Sequence, residues 1–180
     1  MSAIGYYPID FVKRTKDLVL KNFDKFKDED SEVTFLLNCL LGLIVSVSEN
    51  EKKSNKTFKG KIDDDFLLNL PDKIGFIINN SNDNEISNTN LFEINTKIGH
   101  KDDLKTRTKL WFINILRNCI AHQNIQAIND DTKWVGLKLF NTNNSDVKDF
   151  EIIFTIQELK DLSIKIAEEY LKSMDPKNQE

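Results

Sequence analysis

Arg117 and His122 stand five residues apart near the end of the strongest helical apolar run in the second half of the chain, within Leu116-Arg117-Asn118-Cys119-Ile120-Ala121-His122-Gln123-Asn124-Ile125. A guanidinium clamps a phosphate, and an imidazole moves a proton near neutral pH, so the pair is a minimal kit for cutting RNA without a metal. The chemistry would be attack of a ribose 2′-hydroxyl on the adjacent phosphorus. His122 would act as general base or acid and Arg117 would neutralise the crowded phosphorane, leaving a cyclic phosphate and a 5′-hydroxyl. Asn118, one helical turn before His122, can hold the imidazole or a further phosphate oxygen. Ala121 leaves free space beside them. On a rigid helix at ~100° per residue, Arg117 and His122 lie ~140° apart. The expectation is therefore that His122, where the apolar period gives way to Gln123-Asn124, leaves the helix axis and swings toward Arg117. The bare spacing also fits a plainer account, in which Arg117 makes a salt bridge and His122 caps a helix carboxyl end.

The elements that must position these residues follow from hydrophobic spacing. Ile9 to Phe26 carries Phe11, Val12, Leu18, Val19, Phe23 and Phe26 at helical intervals, with Thr15 and Asn22 on the same side. Ser31 can cap a second helix through Val47, apolar around most of its circumference through Leu36, Leu37, Leu40, Leu41, Ile44 and Val45 and hence central. From 49 to 103 the signal weakens. Only Phe66-Leu67-Leu68 and Ile74-Gly75-Phe76-Ile77-Ile78 read as core there, short helices between loops are expected, and 79–90 reads as a flexible loop. Asp102 or Asp103 can cap the helix that bears Arg117. Trp134–Phe140 and Phe150–Ile156 are strand-like, and 124–128 can add a third strand. Thr155 and Glu158 have capping-box spacing and open a last helix through Leu159, Leu162, Ile166, Tyr170 and Met174. The expected fold is mainly α: a helical bundle with a small two- or three-stranded antiparallel meander before the last helix, in one domain over 1–180.

Bulk properties narrow the function classes. A net charge of −4 and a pI near 5.3 argue against a broad, sequence-blind nucleic-acid binder, while a small local site stays compatible. Cys39 and Cys119 both fall in apolar helical patterns and lack a CxxC partner or clustered histidines, so neither a zinc site nor any other metal or cofactor is expected. Reduced thiols, and a start without the basic region and apolar stretch of a signal peptide, fit a cytoplasmic protein with no membrane contact. His100 reads as an exposed loop histidine. Asp63-Asp64-Asp65 reads as a solvated helix start, although a cation is the sharper alternative. Lys105, Arg107 and Lys109 could form a basic approach to the site or simply a solvated face. Trp111 and Trp134 read as core or dimer contacts.

The run Arg117-Asn118-Cys119-Ile120-Ala121-His122, polar second position included, resembles the signature of the HEPN superfamily. The segments 36–45 and 121–125, together with the strands leading into Phe154-Thr155-Ile156-Gln157-Glu158-Leu159, are similar to a HEPN branch typified by an uncharacterised plasmid-encoded protein. The resemblance implies a helical bundle that forms a homodimer, two signatures meeting in one cleft, and metal-independent cleavage of RNA such as tRNA or mRNA. It carries roles only to Arg117, Asn118 and His122, as catalytic candidates. A toxin-antitoxin or anti-phage defence role, with an antitoxin or defence partner protein, is implied with it. Many HEPN toxins paired with a nucleotidyltransferase antitoxin have a tyrosine two positions after the histidine, where this chain has Asn124, and that departure argues against such an antitoxin and modification by it. The competing expectation is a non-enzymatic HEPN dimer that binds a nucleotide, RNA or protein.

Overall fold

Helix α1 (Tyr7–Asp28) buries Val12, Thr15, Val19 and Phe23 along one stripe and leaves Leu18 and Leu20 exposed. It turns into α2 (Glu32–Ser54), and the stacked rings of Phe26 and Phe35, with centroids 4.3 Å apart, hold the corner. Ser31 serves this corner differently from expectation. Its hydroxyl donates back to the Phe26 carbonyl at 3.3 Å, and its own carbonyl receives the Phe35 N–H at 3.0 Å. By length and composition the stretch Glu32–Glu49 of α2 could cross a membrane. Leu36, Leu40, Leu43, Ile44 and Val47 are instead sealed in the protein core.

This is a computed structural model, and it describes residues 7–28, 31–54, 58, 60–78, 98–131, 133–143 and 146–174. The loop expected at 79–90 lies outside them. After α2 come a single turn α3 (Asp64–Leu67), strand β1 (Ile74–Ile77), strand β2 (Ile98–Gly99) and a 3-10 turn over Lys101–Thr106. Helix α4 (Lys109–Ala121), strands β3 (Ile125–Asp130), β4 (Lys133–Thr142) and β5 (Lys148–Thr155), and helix α5 (Ile156–Ser173) complete the order. The protein is mainly α with one small antiparallel sheet, ordered β2-β1-β5-β4-β3.

The expected meander is β3-β4-β5, but the sheet is larger than the two or three strands expected. Ile74-Gly75-Phe76 pairs with Ile152-Glu151-Phe150, and β2 adds outside it. A continuous apolar run of four residues shows no period that separates strand from buried helix, so this pairing was not readable locally. Phe150, Ile152 and Phe154 of β5, with Leu137 and Leu139 of β4, face the helices and are buried. Gly136 is fixed by close approach: a Cβ there would lie 2.2 Å from the Phe154 carbonyl oxygen across the β4–β5 ladder.

Helices α4 and α5 pack against this sheet, and both also pack against α2. The α5 capping box forms as its spacing predicts, with Thr155 Oγ1 accepting from the Glu158 N–H at 3.2 Å and Glu158 Oε2 accepting from the Thr155 N–H at 2.7 Å. Neither Asp102 nor Asp103 caps α4. Both lie in the 3-10 turn, where Asp103 accepts from the His100 N–H at 2.9 Å, and Thr108 caps α4 by accepting from the Trp111 N–H at 3.1 Å.

Candidate active site at the end of helix α4

Helix α4 buries Phe112, Ile113, Ile115, Leu116, Cys119 and Ile120. The remaining arc is Asn114, Arg117, Asn118, Ala121 and His122; Arg117 is half-exposed and the other four are exposed. At ~100° per residue these positions span ~140° of the helix surface, with Arg117 at one edge, His122 at the other, and Asn118 and Ala121 between. Both groups therefore open to solvent on one face, across a floor kept low by the alanine methyl.

The backbone at His122 is fixed by the way the helix stops. His122 stays in the last turn, donating its N–H to the Asn118 carbonyl at 3.0 Å. The chain departs one residue later, at Gln123, which takes the left-handed conformation with φ 55°. The Gln123 N–H then reaches the Ile120 carbonyl at 3.1 Å, and the Asn124 N–H reaches the Cys119 carbonyl at 2.9 Å. These two bonds are the paired closure of a Schellman motif, usually built around glycine. His122 is the carboxyl-cap residue just past the helix, with φ −91° and ψ 6°, so the departure expected of it begins at its own backbone and is completed at Gln123. By helical angle, Arg117 and His122 stand at opposite edges of the exposed arc.

Two walls border the floor. On the Arg117 side stands α2, whose Glu49 Oε1 lies 4.0 Å from Arg117 Nη2, with both side chains partly exposed. Glu49 is a site residue that sequence reasoning missed, because the polar run after Val47 reads as the end of the helix. On the His122 side stands the end of the sheet. The Asn124 carbonyl accepts from the Phe140 N–H at 3.1 Å, which sets the next β4 residue, Asn141, beside the His122–Gln123 turn. Asn141 Nδ2 donates to Asp149 Oδ1 at 2.7 Å. Burial raises the Asp149 carboxyl above the ordinary range, and the Asn141 hydrogen bond opposes that only in part. Burial likewise pushes the Cys119 thiol up to about 12, with the Asp149 charge adding to it, so Cys119 is a core thiol and no nucleophile. Burial raises Cys39 to about 11 in the same way.

The other candidates are spent elsewhere. Asp63 caps α3, accepting from the Phe66 N–H at 2.8 Å, and pairs with Lys109 at 2.7 Å. Asp64 pairs with Lys105 at 2.5 Å, and Asp65 pairs with Lys165. This triplet is a helix start neutralised by lysines, and among the described residues no group of three or more His, Cys, Asp or Glu could hold a metal ion. The same contacts engage the basic residues considered as an approach for RNA. Lys109 also reaches Glu169 at 2.8 Å, and Arg107 lies over the rings of Phe76 and Trp111 while donating to the Ile77 and Ile78 carbonyls. Trp111 packs on Phe76 and Phe150, whereas Trp134 is 46% exposed on the β3–β4 hairpin. His100 is exposed, at the start of the 3-10 turn.

No curated protein and no solved structure matches the chain. A family comparison covers nearly all of it: residues 1–177 match the family described as HEPN pEK499 p136. That match spans the bundle, the sheet and the Arg117–His122 arc together, and the chain belongs to the HEPN pEK499 p136 family.

Proposed function

We propose that the protein is a metal-independent endoribonuclease that cleaves RNA by 2′-hydroxyl attack, with Arg117 binding and neutralising the phosphate, His122 moving the proton, and Asn118 orienting one or the other. The observation that carries this reading is the exposed arc on α4. A cation, an amide and an imidazole share one solvent-facing arc, the first two on the helix and the third at its carboxyl cap, with the small Ala121 side chain among them. Two copies paired about a two-fold axis would bring two such arcs to one groove, as the family relationship supports. The acidic net charge of −4 fits an enzyme that engages RNA at one small site better than a protein that coats it. A cytoplasmic toxin or anti-phage role, restrained by a partner protein, is the biological form of the proposal.

The test is incubation of the purified protein with tRNA and mRNA in EDTA, beside His122→Ala and Arg117→Ala. The expected result is cleavage leaving cyclic phosphate ends, reduced by about 10²-fold or more in each variant. Equal cleavage by all three proteins overturns the proposal. The Glu49 carboxylate beside Arg117 favours one second reading, a binding module whose arginine is normally engaged by protein. That reading predicts RNA or nucleotide binding without turnover, and no growth arrest on expression.

A further inference from the structure

The exposed arc of α4 carries a second amide that the cleavage chemistry leaves unused. Asn114 is exposed to solvent one turn before Asn118 and three residues before Arg117. By helical geometry Asn114, Asn118 and His122 form one row along α4, each step ~6 Å along the axis and ~40° around it. Arg117 lies ~60° to one side of Asn114 and ~4.5 Å further along. A single strand can follow this row, with the scissile phosphate between Arg117 and His122 and an adjoining nucleotide over Asn114. Asparagine is a poor helix former because its short amide competes for backbone groups. Asn22 does this in α1, its Nδ2 donating to the Leu18 carbonyl at 3.2 Å, and Asn69 does the same to the Asp65 carbonyl after α3 at 2.9 Å. The Asn114 amide makes no such bond to its own helix or to any other described residue, so its donor and its acceptor both stand open.

We propose, building on the ribonuclease reading above, that Asn114 reads the base of a nucleotide adjoining the scissile phosphate, and that the base it selects is an unpaired adenine. An amide offers an oxygen acceptor beside an N–H donor, so its match is a base edge with a donor beside an acceptor. Adenine carries that pair on both of its open edges, the 6-amino group beside N7 and the same group beside N1. Guanine shows two acceptors, O6 and N7, on its Hoogsteen edge, and cytosine and uracil have no donor–acceptor pair there. Adenine therefore fits the amide whichever edge it turns to α4, and the other bases fit with one edge only. The strand must be single, because α4 is a convex face. In an RNA duplex the Watson–Crick edge is taken by the opposite base and the Hoogsteen edge lies in a deep, narrow groove. Arg117 stays on the phosphate and His122 on the proton. Asn114 takes no part in the bond making or breaking, and its role is to set which linkage is cut.

The experiment compares wild type, Asn114→Ala, Asn114→Asp and His122→Ala, in EDTA, on single-stranded RNA oligonucleotides that carry each base in turn at the positions flanking one cleavable linkage. Wild type should cleave the adenine-bearing strand with kcat/KM about 5- to 20-fold above the others, at one fixed position relative to the cut. Asn114→Ala should remove that preference and leave kcat/KM on the other bases within about twofold of wild type. Asn114→Asp keeps the shape and loses the donor, and should lose the preference too. His122→Ala should cleave none of them. Thermal unfolding of Asn114→Ala at or above wild type shows that the helix is intact, since alanine is the stronger helix former. A wild type indifferent to the base at every position, an adenine preference that survives in either Asn114 variant, or an equal loss on all bases in Asn114→Ala overturns the base-reading assignment alone. A wild-type protein that cleaves no oligonucleotide overturns the ribonuclease reading, and this inference with it.

Discussion

The left-handed residue that ends α4 gives the sharpest stability test. Gln123 holds φ 55° with its side chain exposed, so replacing it by glycine removes no packing. A non-glycine residue in the left-handed region costs about 1–2 kcal/mol, which glycine would relieve. Glycine also gives the unfolded chain more freedom, which costs back about 0.4–1 kcal/mol. The difference leaves Gln123→Gly more stable by about 0.5–1 kcal/mol, or roughly 1–4 °C in Tm for a chain of this size. Urea unfolding, with the slope unchanged, measures it. RNA cleavage should match wild type, because the carbonyls of Cys119 and Ile120 that close the turn accept from backbone N–H groups that glycine also carries. Gln123→Val places a β-branched side chain in the same conformation, and should destabilise by more than 1 kcal/mol. A Gln123→Gly protein no more stable than wild type would refute the assignment of strain to this turn.

Other predictions concern charge. Glu49→Gln removes a carboxylate 4.0 Å from Arg117 Nη2; because both side chains are partly exposed, the pair is worth at most about 1 kcal/mol. Its loss should tighten single-stranded RNA binding up to about fivefold, measured by anisotropy in a His122→Ala background, with the gain fading as salt rises; weaker binding would count against Arg117 as the phosphate group. Burial works against ionisation of Asp63 and Glu169, but the hydrogen bond each accepts from Lys109, with further bonds and charges, brings both carboxyls below their ordinary range. The stability they contribute is therefore complete above pH ~4.5 and lost as pH falls through their lowered folded values. Asp63→Asn and Glu169→Gln should each flatten that acid limb in pH-dependent thermal unfolding. Substituting both should flatten it by less than the sum, because the two carboxylates share Lys109.

The helices were legible because each repeats its period over several turns, as in Val12-Thr15-Val19-Phe23, and the meander because its apolar, strand-forming runs are bounded by the turn-rich segment 141–146. The Thr155–Glu158 capping box was legible because its partners are three residues apart. What escaped depends on contacts far along the chain. Ile74–Phe76 becomes a strand only because Phe150–Ile152 lies beside it. The start of α4 moved because 101–106 closes its own 3-10 turn, leaving Thr108 as the cap. At the candidate site, Arg117, Asn118 and His122 could be named from one line of sequence, and their shared exposure follows from helical spacing. Glu49 could not be named, since its place beside Arg117 depends on how α2 crosses α4.

The carboxylate buried in the middle of β5 acts on the whole sheet. Glu151 has a side chain about 1% exposed, and its Oε2 is shared by Lys138 at 3.5 Å and Lys148 at 3.0 Å. Its Oε1 is buried with no hydrogen-bond partner. Phe150 and Ile152, to either side, point to the helices. Sliding β5 by one position would therefore thrust an unpaired anion among Phe112, Leu116 and Leu139, at a cost far above anything the ion pairs contribute in the correct alignment. The lysine–glutamate cluster is a keyway: it makes the wrong assembly prohibitive more than it makes the right one strong. Replacing Lys138, Lys148 and Glu151 together by apolar residues should accordingly leave global stability near wild type while amide NMR signals of the sheet multiply or broaden as alternative alignments become populated.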